Sequence, residues 1–183
     1  MFAFRSPLPA VFVSFLLAAC TADTEVEPPH ESTTTSTTGA SDGSPRVDVV
    51  RKRIEATNAK DWKTWESLHT PGAVRTAPGL PAPIRGAAAM RTAIEELTVT
   101  FPDYRLELVD AFGSGDRLVA KIHTRATMKG PLDLGGQVVP ATGKAFEQDW
   151  IAVLRFEGDK IASIDEFYDN YEVMLQLGLA GSP

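Results

Sequence analysis

The chain has 183 residues, 43% of them hydrophobic, which suffices for one domain with a core and not for two. Its formal net charge of -6 is uneven: residues 21–45 carry five acids and no Lys or Arg, whereas residues 46–183 balance 17 basic against 19 acidic side chains. A nearly neutral folded part has no basic stripe for phosphates, which argues against nucleic acid as a partner, and a single cysteine excludes an intrachain disulfide, a cysteine-based metal site and CxxC redox chemistry.

The chain opens with one basic residue, Arg5, and an apolar run from Leu8 to Leu17 broken only by Pro9 and Ser14. That run is short for a bilayer span and suits the core of an export signal. It ends in Leu17-Ala18-Ala19-Cys20, which resembles a bacterial lipobox. Residues 1–20 are therefore expected to be a lipoprotein signal with its lipobox ending at Cys20, and Cys20 to stay on the mature chain and carry the lipid. Several acyl chains anchor stably, since each buried methylene contributes about 0.8 kcal/mol. The plain alternative is a secretory signal with a stray cysteine. Export and lipid anchoring to a bacterial membrane are the expectation, at the outer membrane where there are two, because Thr21 is not the aspartate that resembles an inner-membrane retention signal. Residues 21–45, with Pro28-Pro29, the Ser32–Thr38 run and Val26 as the one large aliphatic side chain, read as a disordered tether.

The folded domain is expected over residues 46–179, with 180–183 as a tail. Ser44-Pro45 suits a helix start. Val47, Val50, Ile54 and Thr57 follow at helical spacing, and a short second helix carries Trp62, Trp65 and Leu68. Pro71 to Pro83 reads as a loop. Gly86 opens a helix over Ala87–Leu97. Beyond Phe101-Pro102-Asp103 the period becomes two. Strands are predicted around Leu106–Leu108, from Arg117 to Ala126, over Ala145–Phe156 and over Lys160–Asp169, with Gly130–Gly143 as a long connection and a last helix over Asn170–Leu177. Helices first and then a meander of long strands predict an α+β fold, a cone-shaped bent antiparallel sheet wrapped by the N-terminal helices and open at its mouth.

Several phrases then carry a family resemblance: Phe101-Pro102-Asp103, Gly115-Asp116-Arg117-Leu118-Val119, Ala141-Thr142-Gly143-Lys144, Leu154 through Ile161, and Tyr168-Asp169 followed by Gln176-Leu177-Gly178. In that order and spacing they resemble the SnoaL-like polyketide cyclase (ester cyclase) family of the nuclear transport factor 2-like superfamily. The resemblance implies cofactor-free ring closure of a polyketide ester by an intramolecular aldol reaction. It also implies an aspartate acting as acid/base at the end of the last long strand, where Asp169 stands. A histidine on the adjacent strand would be its partner, but Gln148, Trp150 and Ala152 share that face here.

Asp169 has two readings on its residues alone. In a dry cone its pKa would rise towards that of a useful base. At a strand-to-helix junction it would instead cap the last helix. Gln148, Trp150, Phe167, Tyr168, Trp65 and Tyr104 are the candidate substrate-binding residues, although aromatics at helical spacing also build cores. Asp165 reads as a solvated rim residue, His123 as facing solvent or a dimer partner, and His69 as a helix-end cap. No metal spacing and no phosphate loop is present. Neither a metal nor a cofactor is expected.

Three functions follow as expectations. The first is an enzyme moving a proton next to a carbonyl, with Asp169 as base: a cyclase, isomerase or hydrolase. The second is a binding module for a small apolar ligand at the cell surface. The third is a subunit that pairs through its exposed sheet as a homodimer, with Val119, His123 and Ile151 at the contact.

Overall fold

A computed structural model describes residues 44–181, so the expected export signal, Cys20 and all but the end of the expected tether lie outside the described residues. Helix α1 spans Pro45–Ala59 and α2 spans Trp62–Ser67. They are separated by Lys60 in the left-handed conformation (φ 56°) and by Asp61, whose carboxylate accepts the Thr64 amide. Asp61 thus starts α2 as its capping chemistry predicts, whereas Asn58 lies inside α1 and exchanges two hydrogen bonds with the Leu106 backbone. Helix α3 runs over Ala87–Thr100 and α4 over Asn170–Leu177.

The main sheet has six strands: β1 His69–Thr76, β2 Ile84–Arg85, β3 Arg105–Ser114, β4 Arg117–Thr127, β7 Ala145–Glu157 and β8 Lys160–Phe167. Their order is β2-β1-β8-β7-β4-β3, all antiparallel except β1 beside β8. A small hairpin, β5 Leu132–Asp133 with β6 Val138–Val139, stands apart. The predicted α+β cone is the observed fold. Helices α1 and α3 pack on the concave side, against β3 and β1, over a core of Val50, Ile54, Trp65, Met90, Ile122, Leu154 and Ile164.

Two segments expected as loops are in part strand. Pro71 and Gly72 lie within β1, which slips register between His69 and Val74 and pairs with the interior strand β8. The punctuating residues fall in that irregular stretch, so the pairing that makes a strand of Val74–Thr76 is tertiary and leaves no local pattern. The connection from Gly130 to Gly143 holds the β5–β6 hairpin. Gly130 lets it dock on α3, since a Cβ there would stand 2.4 Å from the Val99 carbonyl oxygen.

Where β7 runs beyond the end of β8, α4 takes over the pairing. The Gln176 side chain accepts from the Glu147 amide (2.9 Å) and donates to the Glu147 carbonyl (3.1 Å), as a neighbouring strand would. At the other end of the cone, His69 is 2% exposed, donates from Nδ1 to the Trp65 carbonyl (2.8 Å) and lies 4.1 Å from the Trp65 ring centroid. It caps α2, as expected. Burial, and next the charge of Arg53, lower its pKa from 6.5 to about 3.

His69 thus stays neutral when folded and takes up a proton when unfolded, so stability is flat above pH 6.5 and falls as the pH drops from 6.5 towards 3. The slope from this group is about 1.4 kcal/mol per pH unit. Melting temperatures from pH 6.5 to 4 should fall less steeply in His69→Gln than in the parent protein. Equal slopes, or an NMR titration of His69 near pH 6, would refute the assignment.

Candidate functional site

The walls of the site come from four places. Helix α3 gives Ala93 and Leu97. Phe101 and Leu132 close one side. Leu80 and Ile84 close another, and α4 lays Val173, Met174 and Leu177 across the top. They enclose a chamber of about 370 Å³. Its floor is the concave face of the sheet, where Thr124 on β4, Gln148 and Trp150 on β7, and Glu166 on β8 point inward with Arg75, Tyr104 and Tyr168. A wider groove of about 600 Å³ lies on the surface by Asp103, Arg105, Arg125 and Glu147, but it is open to solvent and holds no buried functional group.

The floor is polar and largely satisfied. Arg75 grips Glu166 with two bonds, Nε to Oε1 at 2.9 Å and Nη2 to Oε2 at 2.7 Å, in the forked geometry that suits guanidinium and carboxylate. Burial would lower the Arg75 pKa, but the charge and hydrogen bonds of Glu166 outweigh it, so the net shift is upward and Arg75 stays cationic. The Trp150 indole donates to the Thr124 hydroxyl (2.7 Å). Burial, reinforced by the Glu166 charge, pushes the Tyr104 phenol up to about 12 and raises that of Tyr168. Both phenols are therefore hydrogen-bond donors at neutral pH. Tyr168 uses its hydroxyl on the Pro78 carbonyl (2.9 Å), tying the Ala77–Pro83 loop to the rim.

Behind this floor lies an inner chamber of about 20 Å³. It shares Arg75, Tyr104, Trp150 and Glu166 with the outer chamber and adds Arg53, Thr57 and Trp65. Arg53 stands on the inward stripe of α1, one turn beyond Val50, and is 5% exposed. Its guanidinium lies 5.3 Å from the Trp65 ring centroid. Burial lowers its pKa, opposed by Glu166 and aided by Arg75.

Of the predicted site residues, Gln148, Trp150, Tyr168 and Tyr104 line the outer chamber. Three do not. Trp65, 1% exposed, is core and reaches only the inner chamber. Phe167 is 57% exposed on the convex face, because strand alternation turns Glu166 and Tyr168 inward and Asp165 and Phe167 outward. Asp169 is exposed, and its Oδ1 accepts the amides of Tyr171 (2.9 Å) and Glu172 (3.1 Å). The capping geometry holds it outside the chamber. Asp165 accepts from the Thr76 hydroxyl, and His123 bonds Asp149 (2.8 Å) on the outer face. Among the described residues no cluster of three or more His, Cys, Asp or Glu could hold a metal ion.

The sequence profile of SnoaL-like polyketide cyclases matches residues 47–177. The chain belongs to this family. TsrD from Streptomyces laurentii is similar in structure, with a TM-score of 0.65, 25% identity, and coverage of 76% of this chain and 98% of that one. IdmH from Streptomyces antibioticus, a proposed polyketide cyclase, is also 25% identical, with a TM-score of 0.62 over 73% of this chain and 98% of its own. A SnoaL-like protein from Jannaschia shares the fold at 18% identity, with a TM-score of 0.65 over 75% and 94% of the two chains. No curated protein matches the sequence.

Two outcomes follow from the geometry. Asp169→Ala should destabilise the fold by about 1 kcal/mol and Asp169→Asn by much less, since asparagine also caps; equal losses in urea unfolding would count against the cap. Arg75→Met should cost about 3–5 kcal/mol by stranding a buried carboxylate, and adding Glu166→Leu should restore most of it. A double variant no more stable than Arg75→Met would show that the pair does not couple.

Proposed function

We propose that this SnoaL-like domain is a cofactor-free cyclase or isomerase that moves a proton next to a carbonyl of a small, largely apolar molecule, with Glu166 as the acid/base. The observation that carries this is a buried carboxylate on the polar floor of a chamber with largely apolar walls, surrounded by donors. The role expected for Asp169 passes to Glu166, because Asp169 is spent on helix amides outside the chamber. Each Glu166 oxygen accepts one bond from Arg75 and keeps a second lone pair, so it can take a proton without releasing the guanidinium.

The carbonyl of the substrate would accept from Tyr104 or Gln148 as the neighbouring C–H bond breaks. Its electron pair then forms the enolate, and Glu166 holds the proton. In a cyclisation the enolate carbon forms a bond to a second carbonyl carbon, and the new alkoxide takes the proton back. The similarity to IdmH, a proposed polyketide cyclase, supports a polyketide-like substrate.

Two observations favour binding without chemistry. Both Glu166 oxygens are engaged by Arg75, and no histidine among the described residues lines the chamber. A binding module for an apolar ligand is therefore the second reading. In either case we propose that the domain works at a membrane through a lipid on Cys20. Pairing through the convex face, where Phe112, Ile151 and Phe167 are exposed, would make it a homodimer.

Deuterium uptake separates the two readings without knowledge of the natural product. Methyl β-keto esters and cyclic 1,3-diketones in heavy water should exchange the hydrogen next to their carbonyl at least 100-fold faster with the protein than in buffer. Glu166→Gln, with its fold verified by circular dichroism, should abolish that gain. Exchange at the parent rate in Glu166→Gln would remove Glu166 from the reaction; binding of the probes without exchange would leave the binding module.

A further inference from the structure

The floor of the site and the chamber behind it hold two guanidinium groups, Arg75 partly buried and Arg53 buried, and one buried carboxylate, Glu166. Glu166 is paired with Arg75 through one bond to each of its oxygens. Arg53 is left with no ion pair among the described residues, and its buried Nε has no hydrogen-bond partner there. The neighbours cannot supply the missing charge. His69 is held neutral, the Tyr104 phenol stays protonated, and Thr57 donates its hydroxyl to the Arg53 carbonyl (2.9 Å) within the helix. Glu96 on the outer wall is exposed to solvent, where water screens it. Stacking on Trp65 offsets part of the cost of burying Arg53, but a ring face does not replace a counter-ion for a desolvated cation.

The void beside Arg53 has the size to take one atom. Its volume of about 20 Å³ fits a single water, a halide or one oxygen of a larger ligand. It shares Arg75, Tyr104, Trp150 and Glu166 with the floor of the outer chamber, so these side chains stand between the two. We propose that the inner chamber is an anion subsite, built by Arg53 with Arg75 and Tyr104, that receives the anionic oxygen of an organic ligand whose apolar body fills the outer chamber. The substrate class is then a small apolar skeleton bearing a carboxylate or a preformed enolate.

This inference rests on the outer chamber being a ligand site and not on its catalysis. The charge ledger favours an anion: with Arg75 and Glu166 cancelling, Arg53 leaves one net positive charge, and a monoanionic oxygen closes it. Tyr104 would donate to the same oxygen. Glu166 would not repel it strongly, because Arg75 stands on that carboxylate with two bonds.

Trp65 and Trp150 both wall the inner chamber, so tryptophan fluorescence reports occupancy. Titration of the full chain with benzoate and with benzamide, which has the same shape without the charge, is the test. Benzoate should bind at least tenfold more tightly. That preference should vanish in Arg53→Met and persist in Arg53→Lys. Equal binding of the two probes, or a preference that survives in Arg53→Met, overturns the anion subsite while leaving the outer chamber as a ligand site. Binding of neither overturns both. Should Arg53→Met fail to fold, bromide soaked into crystals of the parent protein decides: anomalous scattering in the inner chamber is expected, and water alone there overturns the proposal.

Discussion

The Arg75–Glu166 pair is the constraint around which the concave face is arranged. A charged pair this deep is costly to desolvate, and it persists only where geometry satisfies both partners. Here the requirement is met by bringing β1 alongside β8 in parallel, so that a strand from the N-terminal half places its arginine opposite the last long strand. The same alignment turns Tyr168 inward and fixes the loop it bonds at Pro78. The ion pair therefore does two things at once: it locks the sheet edge into the cone and sets the polar floor of an apolar chamber.

The fold was legible because the domain obeys simple periods. Helical spacing in Val47–Thr57 and Ala87–Leu97, and alternation through Arg117–Ala126 and Ala145–Phe156, mark faces that bury in the structure as they do on paper. The site was half legible. Gln148, Trp150, Tyr104 and Tyr168 could be placed because they lie in phase with apolar neighbours on strands or at their ends. Asp169 drew attention by its position in a family pattern, yet local chemistry at a strand-to-helix junction decided its carboxylate's partners.

What was missed had signals. Glu166 shares its phase with Ala162 and Ile164, and a carboxylate in the buried phase of a strand is rare enough to need a partner. Arg53 lies between Val50, Ile54 and Thr57 on the inward stripe of the first helix, which asks the same question. Arg75 had no such cue. It sits among prolines and glycines, and only the tertiary pairing of β1 with β8 makes its surroundings a strand.

The glutamine clamp on Glu147 bears on how the domain survives at high local concentration. Between Ala145 and Asp149 the β7 strand has β4 on one side and no strand on the other, because β8 has already ended at Phe167. An open stretch of backbone of this kind invites a strand from another molecule. The Gln176 amide occupies the Glu147 donor and acceptor together, from a helix that cannot itself extend the ladder. One primary amide thus serves as a stopper for the sheet, guarding this stretch of backbone against edge-to-edge growth.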